Sequence, residues 1–112
     1  MDRGQSLILP PLFDSTNYAY WKVGMRAFLQ SLDEKVWQAV EIGWTKPMEA
    51  PVDWDDAKIK AAKLNSRALN ALFNAVTSEE FKKISSTETA KEEWTILQTT
   101  YEGTKVVKDP KF

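Results

Sequence analysis

Residues 12–32, LFDSTNYAYWKVGMRAFLQSL, read as an extended apolar lead-in, a turn and a strongly amphipathic helix. Counting from Tyr18, apolar side chains recur at Trp21, Met25, Phe28, Leu29 and Leu32. That spacing lays one wide apolar stripe along a helix of period 3.6. Lys22, Arg26 and Gln30 fall on the other face. A stripe so rich in aromatic rings needs partners, and the rest of the chain supplies further helices to cover it.

Upstream, residues 6–13 (SLILPPLF) are too apolar for a free tail. Pro10 and Pro11 lack backbone donors and hold this arm extended. Two readings of the arm stand side by side. Leu7, Ile8, Leu12 and Phe13 pack back onto the domain, or Leu7, Ile8 and Leu9 dock on another subunit. Between arm and helix, Asp14, Ser15, Thr16 and Asn17 form a turn and cap cluster, whose short side chains can accept from the first free helical amides.

Downstream, Asp33 is placed to cap a short second helix with Val36, Trp37, Val40 and Ile42 on its apolar face, and Gly43 is placed to end it. Residues 44–52 (WTKPMEAPV) carry two prolines and no helical period, so they form a loop that Trp44 anchors. Asp53 then caps a long third helix through Ile59, Ala62, Leu69, Leu72 and Phe73 to about Val76. Thr77 and Glu80 match a capping box, with Ser78 as an alternative cap, and open a short fourth helix with Phe81 and Ile84. A fifth helix spans about Glu88 to Glu102, with Ala90, Trp94, Leu97 and Tyr101 in register, and Gly103 is its stop. Only the N-terminal arm is a candidate strand. The reading is an all-α fold: a compact orthogonal bundle of about five helices, two of them short, with an extended N-terminal arm. Its parts are an arm at 1–14, a helical domain at 15–103 and a tail at 104–112.

The length of 112 residues suits one domain. Five Trp, five Phe and three Tyr supply a core without staples. With no Cys and no His, disulfides, thiolate metal sites and His-based catalytic arrangements are excluded. A net charge of -1 argues against a nucleic-acid partner for this segment alone. No apolar run reaches the ~20 residues that span a bilayer, and the N-terminus lacks a secretory pattern, so a soluble, cytoplasmic protein without membrane partner is expected.

Asp53, Asp55 and Asp56, with Glu49 upstream, form the densest acidic cluster. Their spacing does not fit a calcium loop, and they read as a cap with dipole-favoured carboxylates. Lys58, Lys60, Lys63 and Arg67 make one helix face basic and read as a solvated face. Most aromatics sit at core spacing. Tyr20 falls off the stripe of the first helix and Trp44 lies in a loop, which makes these two the candidates for surface contacts. There is no nucleophile elbow, phosphate loop or Gly-rich nucleotide fingerprint, so neither enzymatic activity nor a cofactor is expected.

Two stretches resemble the Gag polypeptide of plant copia-type long-terminal-repeat retrotransposons. The first is PPLFDSTNYAYWKVGMRAFLQSL, matching that family's opening pattern at Leu12, Phe13, Asn17, Tyr18 and Trp21. The second is TAKEEWTILQTTYEGT, matching its later block at Ala90, Trp94, Leu97, Tyr101 and Gly103. The acidic Trp54 region and the SRALNALFNAV run between them also look similar, so the resemblance covers about residues 10–108. It implies a domain like the N-terminal domain of retroviral capsids, which associates with itself or with longer Gag chains in particle assembly. The matching residues carry over as fold determinants. Ser15 stands where the family usually has Gly, so the turn either takes a positive φ at a non-glycine residue or adopts another form. The family often continues into a zinc knuckle. These 112 residues contain no Cys or His to build one. The alternative is a truncated, host-retained Gag-derived module without an assembly role that binds a host or pathogen protein.

Overall fold

A computed structural model describes residues 9–103. Leu7 and Ile8 of the proposed arm surface, and the tail at 104–112, lie outside the described residues. Among these residues five α-helices follow one another: α1 Tyr18–Leu32, α2 Glu34–Glu41, α3 Asp56–Phe73, α4 Ser78–Ile84 and α5 Ala90–Gln98. A 3-10 turn at Pro51–Asp53 precedes α3, and a π-helical turn at Thr99–Gly103 follows α5. α2 packs on α1 and α3, and α5 packs on α2 and α3.

α1 forms where its periodicity places it. Tyr18, Trp21, Met25 and Leu29 are its buried face. Asp33 ends α1 and caps α2, its carboxylate accepting from the Lys35 amide at 2.8 Å. Gly43 then reverses the chain at φ +96°, a left-handed conformation that glycine adopts without a Cβ clash.

Several boundaries depart from the periodicity. α3 is capped by Asp55, not Asp53: its side chain accepts from the Lys58 amide at 2.9 Å. Pro51 starts a separate 3-10 turn, and the Trp54 indole N–H bonds to the Glu49 carbonyl, which together delay the helix. α3 stops at Phe73 because the backbone beyond it has another partner. The Phe13 amide donates to the Ala75 carbonyl at 2.7 Å, and the Thr77 amide donates to the Phe13 carbonyl at 3.1 Å. This parallel bridge between Phe13 and Val76 ties the arm to the joint between α3 and α4.

The capping box is not formed. Thr77 makes no side-chain cap bond, and Glu80 is buried and turned toward Tyr101. Asn17 likewise leaves its helix end uncapped: its amide donates to the Leu12 carbonyl and its Oδ1 accepts from the Asp14 amide, locking the turn instead. Ile42, expected on the apolar face of α2, is exposed. α5 is shorter than its periodicity suggests, because Thr99 onward winds into the wider π turn.

The core collects Phe13, Trp21, Met25, Leu29, Val36, Leu72, Ile84 and Leu97, all essentially sealed from solvent. Leu12 is corrected from core to surface at 56 % exposure. In an extended segment successive side chains point to opposite sides, so burying Phe13 turns Leu12 outward.

Candidate interaction surfaces

Phe13, Tyr18, Trp21, Trp94 and Tyr101, together with Trp37, come together in one aromatic row. Phe13 meets Tyr101 edge-on at 4.9 Å and lies tilted against Trp21 at 5.1 Å. Tyr18 stacks on Tyr101 at 6.0 Å, Trp21 stacks on Trp94 at 5.5 Å, and Trp94 meets Trp37 edge-on at 5.3 Å. The Trp21 indole N–H donates to the Pro11 carbonyl at 3.0 Å, which fixes the arm across α1. Trp94 and Tyr101 are partly buried against the core, and the π turn that carries Tyr101 ends at Gly103. Burial, with Glu102 nearby, lifts the Tyr18 phenol to about 12, so it stays protonated at neutral pH.

Three polar residues sit in the interior; of these the sequence reading named only Glu80, and as a capping-box residue rather than a buried one. Asn65 clamps the start of α5: its Oδ1 accepts from the Ala90 amide at 2.9 Å and its Nδ2 donates to the Glu88 carbonyl at 3.1 Å. Glu80 accepts from the Tyr101 hydroxyl at 2.6 Å and from the Lys83 ammonium at 3.3 Å. Lys83 also donates to the Tyr101 hydroxyl, and these bonds raise its pKa. Glu93 is fully enclosed, and neither carboxylate oxygen has a hydrogen-bond partner. Burial pushes its carboxyl up to about 9, so it is neutral at physiological pH. Sealed from solvent, it cannot reach a substrate. A signal for each was present. Asn65 keeps step with Ala68 and Leu72, Glu80 with Ile84, and Glu93 with Ala90 and Leu97.

The acidic cluster is dispersed by the fold. Asp55 caps α3, Asp53 lies in the 3-10 turn, and Glu49 pairs with Lys58. Among the described residues no group of three or more acidic side chains is arranged to hold a metal ion. Lys60, Lys63 and Arg67 are exposed on α3. No helix among the described residues is long and apolar enough to cross a membrane.

Two surfaces remain. Trp44 is half-buried and meets Trp54 edge-on at 6.5 Å. Beside it a groove of about 680 Å³ runs between the end of α2 and α5, lined by Ile42, Gly43, Thr89, Lys91 and Ile96. The second surface is the outer face of α1. Tyr20 is 85 % exposed and Val23 67 %, and Leu9 and Leu12 of the arm are exposed beside Pro11. Compared with known proteins, the chain matches no protein-family model, no curated protein and no solved structure.

Proposed function

We propose that this chain is a structural, non-enzymatic domain of a copia-type Gag polypeptide that contributes to Gag self-association and particle assembly in the cytoplasm. The observation that supports the reading is the convergence of the resembling residues. Phe13, Tyr18, Trp21, Trp94 and Tyr101 come from both ends of the described chain and meet in one aromatic row. Such a pairing explains why the two motifs would occur together: each supplies half of the same core. The exposed apolar side chains outside that core supply contact area for neighbouring copies.

The test is coexpression of a tagged copy with a longer copia-type Gag chain, followed by sedimentation of the particles. The tagged chain is expected in the particle fraction, and the chain alone is expected to associate weakly toward millimolar concentration. A chain that stays monomeric at millimolar concentration and is absent from the particles overturns the reading. A tagged chain that binds Gag but stops particle formation favours the alternative of a Gag-derived interaction module retained by a host.

A further inference from the structure

The buried polar groups of this fold are unevenly satisfied. Asn65 and Glu80 find partners, and those partners pin the two ends of the α5 region. Asn65 bonds to the Ala90 amide, and Glu80 to the Tyr101 hydroxyl in the π turn. Between these ends the pattern changes. Among the described residues three enclosed side-chain atoms have no hydrogen-bond partner: both carboxyl oxygens of Glu93, and Trp37 Nε1. All three lie at the seat of α5. Glu93 belongs to α5 and is 0 % exposed, and Trp37 on α2 meets Trp94 of α5 edge-on at 5.3 Å. Every charged side chain of α2 and α3 is exposed or half-buried, so none lies sealed beneath α5 with Glu93. On another flank α5 borders the open groove, where Lys91 and Thr95 are exposed.

We infer that α5 is a built-in release element: it lifts from α2 and α3 as a unit, bending at the π turn, while α1, α2 and α3 stay folded. The inference does not depend on the assembly reading. A buried donor or acceptor without a partner forgoes the bonds it would make to water. Lifting α5 lets water reach Glu93 and the Trp37 indole N–H, so opening regains those bonds and closing gives them up. Among the described residues the unpaired atoms sit under this helix and under no other, so the gain on opening is specific to α5. Local opening of this kind is drawn from the least cohesive part of a fold. Helices bend at π turns, and the one at Thr99–Gly103 directly follows α5. Once lifted, α5 uncovers Trp37 and its own Leu97, an apolar surface that the closed molecule hides.

The test is native-state hydrogen exchange of the full chain in low concentrations of urea, read helix by helix. In the wild type the protected amides of α5 are expected to exchange at least tenfold faster than those of α1 and α3, after correction for intrinsic rates. Their exchange should also depend less steeply on urea, because lifting one helix exposes less surface than global unfolding. This measurement needs no substitution. A second one removes the unpaired acid. Glu93→Met puts an apolar chain of similar length in its place, and is expected to slow α5 exchange at least tenfold and raise the thermal midpoint. Wild-type α5 amides that exchange at the rate and with the urea dependence of α1 and α3 overturn the inference, since the helices then open only together. Unchanged α5 exchange in Glu93→Met overturns it as well. So does a lowered thermal midpoint or loss of folding in that variant, which would mean that the carboxyl is bonded in solution, through an internal water.

Discussion

Tyr20 and Trp21 are adjacent in sequence and differ sharply in environment. Trp21 is 2 % exposed, lies between Phe13 and Trp94, and donates to the Pro11 carbonyl. Trp21→Ala is expected to lower the unfolding free energy by about 3–5 kcal/mol in urea titration. Tyr20→Ala should stay within about 0.5 kcal/mol of wild type in the same assay at low protein concentration. Glu93 gives a prediction in pH. Its carboxyl is raised by burial from an ordinary value of 4.5 to about 9. The folded chain keeps this proton through that interval while the unfolded chain releases it. The Glu93 contribution is thus fully favourable below about pH 4.5, declines by up to ~1.4 kcal/mol per pH unit through neutrality, and levels off near pH 9. Glu93→Gln, which carries no titrating proton, should flatten that slope in denaturation curves measured from pH 5 to 9. At this scale the apolar positions were legible, because Tyr18, Trp21, Met25 and Leu29 follow one helical period. Glu93, Glu80 and Asn65 share that register with core residues, but polarity alone would send them to the surface. Only the tertiary partners of Glu80 and Asn65, and the enclosure of Glu93, reverse that expectation.

The elements were legible in number and order and less so at their ends. A helix end is set by whatever competes for its backbone, and two competitors here lie far away in sequence. α3 ends at Phe73 since Ala75 and Thr77 bond to Phe13, a partner no local window contains. Leu12 and Phe13 could not be told apart by hydrophobicity, because the direction of the arm's alternation is fixed by that same bridge. The surface roles of Tyr20 and Trp44 rest on weaker signals, an off-stripe position and a loop. The turns make sharper predictions. Ser15 takes φ +79°, a left-handed conformation costly for a residue with a Cβ. Ser15→Gly is expected to raise stability by up to ~1 kcal/mol, seen as a higher thermal midpoint. Gly43→Ala should do the reverse, by about 1–2 kcal/mol, since its φ is +96° and a Cβ there would meet Lys91 Cδ at 2.8 Å. Asp55→Ala should cost about 1 kcal/mol through the lost cap of α3, and Asp53→Ala very little.

For the molecule as a whole, the arm is the long-range closure. Phe13 joins Val76 across most of the described chain, so its contacts require α3, α4 and α1 to be in place first. Phe13→Ala is expected to cost about 3–5 kcal/mol and to act mainly by speeding unfolding, with the folding rate little changed in stopped-flow chevrons. A slowed folding limb would instead place the arm in the folding nucleus. The same packing has an optical consequence. The five tryptophans fall into two separate groups, one with Trp21, Trp94 and Trp37 in the aromatic row and one with Trp44 and Trp54 beside the groove. Indoles this close couple their electronic transitions, so the core row is expected to give an exciton signature in the ultraviolet dichroism spectrum that Trp94→Phe, which removes the ring between Trp21 and Trp37, abolishes. The Trp44 and Trp54 pair emits from a half-open surface and reports on the groove. One unlabelled molecule is thus expected to offer two intrinsic probes, Trp21 against the arm through the Pro11 carbonyl and Trp44 in the groove lining.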